Sequence, residues 1–400
     1  MRATSPPVKF TVSIEDKQPM IWQLAILLES FRGKLPDGWE PFVVVCNDHR
    51  SVSSALARVL STYEAQYVCA PNYPRRESVD FISGAAPYAG LNKITALEAV
   101  APYVKATDVV CLLDTDIFLY EDLNRDIFPT SDALCENWLI AKPRFYSGRN
   151  HVEGIDLKLL LSAMGTDREF KGGGVLLFLT GGTLRNRAFV RDCFRFAQVM
   201  LLLGKIQNVL MPWQAEMPAY ALALTTHGID YEVIEHPEFS VENYSDRTTP
   251  SGSFYHYYGS EAFWGSSWGK YHFRNRDLLS ADLARFKALS QSAHETYFFE
   301  LAQAARDRLE GADASGLSGS GTHAADKKWH RGPITDSLRY FRFHVLKAMD
   351  PGAPTHRDLT LAFPLVLVYR VLAPVRALKR RLQMRRKRAA GEARAREAAR

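Results

Sequence analysis

Two carboxylates separated by a single residue close an apolar run in "DVVCLLDTDIFLYEDL", where Val109 to Leu113 leads straight into Asp114, Thr115 and Asp116. Along an extended strand residues i and i+2 point to the same side, so Asp114 and Asp116 can converge while Thr115 turns away. Two carboxylates that close repel each other unless a proton or a cation lies between them. A hard divalent ion resolves the conflict, and Mg²⁺ or Mn²⁺ suits joint coordination by carboxylates and the oxygens of a substrate diphosphate. The plainer alternative is that one aspartate caps the next turn and the other is solvated. Their place after a buried strand of an alternating chain favours the ion, and with it a nucleoside diphosphate.

The elements that must position this pair follow from the apolar pattern. "FTVSI" (10–14), "PFVVVCND" (41–48), "AQYVCAP" (65–71) and "DVVCLLD" (108–114) are strand-like runs. Between them, "MIWQLAILLESFRG" has helical spacing and stops at Gly33, and "SVSSALARVLSTY" is a second helix. "LNKITALEAVAPYVKA" is a third, with Asn92 as its expected N-cap. Strand alternating with helix predicts a mostly parallel sheet with helices on both faces, whose ligands bind beyond the carboxyl ends of the strands. Downstream, "GGGVLLFLTGG" predicts a strand, "FVRDCFRFAQVMLLLGK" and "EMPAYALALTTHG" predict helices, and "DYEVIE" a further strand. Phe254 to Phe273, with nine aromatics and two histidines in twenty residues, is too rich in glycine and aromatics for an ordinary helix or strand.

Composition limits the partners. The 400 residues are 46% hydrophobic, enough for a large core. Five scattered cysteines without a Cys-x-x-Cys argue against a disulfide frame or a zinc cluster. The net charge of +6 is uneven: residues 376–400 hold 11 Lys or Arg against 2 acids, and the rest 39 against 42. That split speaks against nucleic-acid binding by the body and for an anionic partner of the tail. The expected organisation is a body over 1–309, its nucleotide-binding half about 10–125 and its acceptor-side half about 126–309. A Gly/Ser/Ala-rich linker over 310–332 and a basic amphipathic helical tail over 333–400 follow. Leu359 to Val375 is 17 residues long and contains Arg370, Pro364 and Pro374, short of the roughly 20 apolar residues of a span. It is expected to lie on an anionic membrane surface, peripheral to the inner face. With no apolar leader in "MRATSPPVKFTVSI", the expected location is the cytoplasm.

The stretch "DVVCLLDTDIFLYEDL" resembles the Asp-x-Asp segment of GT-A fold glycosyltransferases, and the chain resembles their family 8-like group over roughly residues 10 to 275. Further stretches fit in order. "YAGLNKITALEAV" is similar to the helix upstream of Asp-x-Asp, which places Lys93 toward the donor. "KGGGVLLFLTGG" resembles the following strand, with Gly172 where an asparagine is common. "EMPAYALAL" is similar to a "DQPALNLAL" pattern, placing Glu216 at its acid and Met217 at its glutamine. "FYHYYGSEAFW" resembles a His-x-x-Gly segment, with His256 as third metal ligand and Gly259 at the glycine. The resemblance implies a nucleotide-diphosphate sugar donor, with a uridine diphosphate sugar favoured, Mn²⁺ or Mg²⁺ as cofactor, and Asp114, Asp116 and His256 as ligands.

Each assignment has a plainer counterpart. Lys93 is either a donor-phosphate contact or a solvated first-turn lysine, and His256 a ligand or a histidine packed among aromatics. Glu216 is a general base for the acceptor hydroxyl, a carboxylate under the sugar ring, or a first-turn acid favoured by the helix dipole. Trp264 and Trp268, beside Gly265, Ser266 and Ser267, are candidate acceptor or lid residues, and other aromatics there form a small core. The acceptor suggested by the tail is a glycan or a lipid-linked sugar. Two other classes compete: a non-enzymatic membrane-surface adaptor, and an Asp-x-Asp phosphohydrolase. The latter normally carries its aspartates on the first strand, whereas these end about the fourth.

Overall fold

The computed structural model describes residues 6–47, 51–72, 90–123, 125–135, 151–152, 155–156, 161, 170, 176–206, 215–234, 241–242, 253–257, 277–290 and 292–315. In chain order the first elements are β1 (Val8–Ile14), α1 (Gln18–Phe31), β2 (Trp39–Cys46), α2 (Ser54–Thr62), β3 (Gln66–Ala70) and α3 (Leu91–Val100). Next come β4 (Val109–Leu113), β5 (Ile117–Leu119), β6 (Ala133–Cys135), β7 (His151–Val152), β8 (Ile155–Asp156) and β9 (Leu177–Thr180). The rest are α4 (Gly181–Arg185), α5 (Arg187–Ile206), α6 (Glu216–Thr226), β10 (Glu232–Ile234), β11 (Val241–Glu242), β12 (Phe254–His256), α7 (Leu283–Ala288) and α8 (Ala293–Ser315).

Among the described residues, seven strands form one sheet in the order β10-β6-β9-β4-β1-β2-β3. All its neighbours pair in parallel except that β9 runs against both β4 and β6. This is the mixed, mostly parallel α/β architecture that the alternation of runs predicts. The β7 and β8 pair stands apart, and β11, β12 and β5 make a small second sheet. Left-handed residues follow the first two helices: Gly33, at φ +69°, comes shortly after α1, and Glu64, at φ +49°, shortly after α2. Gly33 supplies the left-handed geometry without a Cβ clash.

Strand alternation divides the core in two. Val109, Cys111 and Leu113 of β4 pack with α1, α2 and α8, while Val110 and Leu112 pack with α3, α5 and α6. On the first face Phe118 is fully buried against Tyr255 at 5.2 Å, Tyr297 at 5.9 Å and Phe298 at 6.0 Å between ring centroids. A fully buried ring such as Phe118 or Phe298 contributes roughly 1.5–3 kcal/mol by leaving water. The cluster fastens the β5–β12 ribbon to α8.

The last helix belongs to the body and runs to Ser315, into the stretch from 310 that composition marks as linker. Its C-terminal half is fixed: Arg308 Nε donates to Glu29 Oε2 at 2.8 Å, and Arg58 donates to the Leu309 carbonyl at 2.7 Å. Two readings of local structure are corrected. Asn92 lies within the first turn of α3, buried, and the cap position is Gly90. Phe254–His256, at the head of the aromatic-rich segment, is a regular strand, because its pairing with β5 supplies the hydrogen bonds its composition obscures.

His294 of α8 is 3% exposed, stacked on Tyr255 at 4.3 Å and beside Tyr120 at 4.8 Å. Burial lowers its pKa from 6.5 to about 4. The unfolded chain therefore binds a proton between those values that the folded chain does not, so stability is full above pH 6.5 and falls as the pH drops toward 4. That loss is on the order of 2–3 kcal/mol. A His294→Phe chain is expected to lose less stability over this interval in urea titrations at stepped pH.

Candidate functional site

β4 ends at Leu113, so Asp114 and Asp116 sit on the turn beyond it rather than inside the strand. Asp114 continues the face of Val110 and Leu112, toward α3 and α6, and Thr115 takes the opposite side. There its hydroxyl donates to Gln23 Oε1 of α1 at 3.2 Å, which anchors the turn. The chain then re-enters a strand at once, as β5.

His256 arrives through that strand. β12 pairs antiparallel with β5, and His256 stands opposite Ile117, the residue after Asp116. The Tyr257 N–H donates to the Asp116 carbonyl at 3.0 Å and the Tyr120 N–H to the Ser253 carbonyl at 2.6 Å, closing both ends of the pair. A one-residue slip would carry His256 to the other face. In the observed register its Nε2–H donates to Asp116 Oδ1 at 3.0 Å, and Asp114 Oδ2 lies 3.8 Å from the same nitrogen.

Asp114, Asp116 and His256 each offer one ligand atom, and those atoms lie within 4.8 Å of one another. Asp116 and His256 are buried, at 8% and 7% exposure. Two carboxylates and an imidazole are a donor set that Mn²⁺ accepts, and Mg²⁺ tolerates through the oxygens. The residues present therefore fit a divalent ion.

Two helix starts bring the remaining charges. Lys93, in the first turn of α3, reaches Asp114 Oδ1 at 2.6 Å and Glu216 Oε1 at 3.0 Å. Glu216 is the first residue of α6 and is 2% exposed. Burial pushes its carboxyl up to about 8, against a backbone hydrogen bond that pulls it down. A carboxylate poised there can take up or hold a proton near neutral pH. Two carboxyl groups, those of Asp114 and Glu216, thus face one ammonium, in a site where two unit charges 4 Å apart interact by about 4 kcal/mol at an effective dielectric of 20.

Of the residues singled out in the sequence, Asp114, Asp116, His256, Lys93 and Glu216 come together. Trp264, Trp268, Gly172 and Gly259 lie outside the described residues. Met217 faces the apolar core. Two residues were not singled out. Gln23 fixes Thr115, and Tyr220 lies one helical turn after Glu216 on α6, its hydroxyl pushed well above the usual phenol range first by burial and then by the charges of Glu216, Cys193 and Asp114. The i, i+4 spacing from Glu216 to Tyr220 was a readable signal.

No protein-family model matches the chain, and no curated protein matches it. Among solved structures it is similar to an active-site mutant of LgtC, at 14% identity over 74% of this chain and 95% of that chain, with a TM-score of 0.44. It is also similar to galactosyltransferase LgtC in complex with donor and acceptor sugar analogs, at 12% identity over 74% of this chain and 95% of that chain, with a TM-score of 0.40.

Proposed function

We propose that this chain is a GT-A-type glycosyltransferase that moves a sugar, of hexosyl type, from a nucleotide-diphosphate donor to a glycan or lipid-linked acceptor. One observation carries the reading: Asp114, Asp116 and His256 converge at the carboxyl end of a central strand, with Lys93 and Glu216 against them. When bound, a divalent ion would neutralise the donor diphosphate and stabilise the charge that develops on it as the sugar leaves. Asp114, Asp116 and His256 would hold that ion, and Lys93 offers a second positive charge for phosphate oxygens.

In the transfer the acceptor oxygen bonds to the anomeric carbon, and the bond from that carbon to the diphosphate oxygen breaks. The electron pair departs with the diphosphate, and the acceptor hydroxyl loses its proton. Glu216 is the carboxylate available to this chemistry: as base for that proton if configuration inverts, or beneath the sugar ring if it is retained. Its burial keeps water from its carboxyl, which favours transfer over hydrolysis of the donor.

Melting temperatures with uridine, guanosine and thymidine diphosphate sugars test this, each with and without Mn²⁺ or Mg²⁺. The reading expects one base, uridine favoured, to raise the melting point only when the ion is present. Uniform indifference to all donors in the presence of the ion counts against it.

The uneven charge supports a cytoplasmic protein peripheral on the inner membrane face, its basic tail on anionic headgroups. Among the described residues no helix is long and apolar enough to cross a membrane. Removing residues 359–400 is expected to leave transfer to a soluble acceptor within about threefold while sedimentation with anionic vesicles falls at least tenfold, since each cation near such a surface adds about 1 kcal/mol. Loss of donor binding on the same deletion would place the tail within the site instead.

A further inference from the structure

Lys93 is shared between two carboxylates that belong to different tasks. Its ammonium lies 2.6 Å from Asp114 Oδ1 and 3.0 Å from Glu216 Oε1, and its side chain is 15% exposed. Asp114 is shared in turn, because its other oxygen lies 3.8 Å from His256 Nε2, on the side of the three-residue cluster. One carboxylate thus meets an ammonium through Oδ1 and the candidate ion position through Oδ2. A second cation brought to Asp114 is repelled by the first, and the burial of Glu216 and Asp116 around them limits screening by water and salt.

We infer that Lys93 is an internal counter-ion that competes with the divalent ion for Asp114, and that a nucleoside diphosphate relieves the competition by drawing the ammonium to its phosphate oxygens. The inference rests on the metal-dependent reading above. Without ligands, Lys93 offsets the charge of Asp114, donates to Glu216 Oε1 and keeps both side chains in place. With the ion alone, the ammonium and the ion share one carboxylate. With a diphosphate, the ammonium has new acceptors, and a lysine is suited to this exchange. Its three donors sit on a flexible stem rooted in the first turn of α3, so side-chain rotation is enough. No covalent step is involved.

Calorimetric titration of Mn²⁺ into the full chain tests this, wild type beside Lys93→Met, with and without uridine diphosphate. Lys93→Met is expected to bind Mn²⁺ alone roughly tenfold more tightly than wild type, because the competing charge is gone. Uridine diphosphate should then strengthen Mn²⁺ binding by a larger factor in wild type than in Lys93→Met. Mn²⁺ affinity in Lys93→Met equal to or weaker than wild type overturns the inference. Should that variant not fold, Glu216→Gln serves in its place. It removes the charge of the second anchor, leaving only a neutral oxygen there, and holds the ammonium chiefly to Asp114, so Mn²⁺ affinity is expected to fall about threefold to tenfold. Unchanged or higher affinity there overturns the inference. A wild-type chain that takes no Mn²⁺ with or without uridine diphosphate defeats the metal-dependent reading itself, whereas Mn²⁺ binding indifferent to Lys93 defeats the counter-ion alone.

Discussion

Replacing Asp116 by asparagine is expected to weaken ion-dependent donor binding by about 100-fold or more, the scale on which loss even of a ligand's supporting partner acts. Asp116 offers one carboxylate oxygen to the cluster and holds His256 through Oδ1 at 3.0 Å, so the change removes one ligand and loosens another. The backbone should not suffer. The Asp116 carbonyl still accepts from the Tyr257 N–H at 3.0 Å, and the β5–β12 pairing does not involve the side chain. Removing one of two adjacent carboxylates also relieves repulsion, so the ion-free melting temperature is expected to hold or rise. A drop in ion-free stability together with the loss of binding would make Asp116 a structural residue. Calorimetry of the donor with Mn²⁺, paired with thermal melts in chelator, separates the two outcomes.

The second large effect belongs to Glu216. Glu216→Gln keeps volume and one hydrogen-bonding oxygen but cannot hold a negative charge or take a proton. Turnover is expected to fall by roughly 100- to 1,000-fold, the range typical for a removed acid–base group. The donor KM should move by no more than about tenfold, since the cluster and Lys93 remain. The pH profile offers an independent check. Burial holds the Glu216 carboxyl up to about 8, so if it accepts the acceptor proton, the wild-type rate rises with pH as that carboxyl ionises. The limb should vanish in Glu216→Gln. A variant that keeps the wild-type rate and profile would remove Glu216 from the chemistry.

What the sequence revealed and what it hid have physical causes. β4 was legible because an unbroken apolar run must be buried and two acids at its end must sit where the sheet stops, and both faces of the strand are indeed covered. The parallel part of the sheet was legible for a related reason, since alternating runs leave little freedom of topology. The excursion that completes the site was not. β5 is three residues long, too short for periodicity to register, and β12 hides in a stretch whose glycines and aromatics mask its extended backbone. His256 could be singled out by its likeness to a pattern, while the register that sets it against Asp116 is a tertiary fact, fixed by Phe118, Tyr255 and Phe298 packing together. Asn92 shows propensity overruled: a good capping residue lies inside the helix because burial in the α3–sheet interface decides its place. Lys93 could be read as facing a donor, but its contact with Glu216, 123 positions away, needed the fold.

The central claim, that Asp114, Asp116 and His256 hold a divalent ion for a nucleotide diphosphate, is met most directly by one equilibrium measurement. Uridine diphosphate is titrated into the wild-type chain with Mn²⁺, and again after chelation. About one Mn²⁺ is expected to bind per chain with the nucleotide, and chelation to weaken nucleotide binding at least tenfold. Nucleotide binding of equal strength with and without the ion would contradict it.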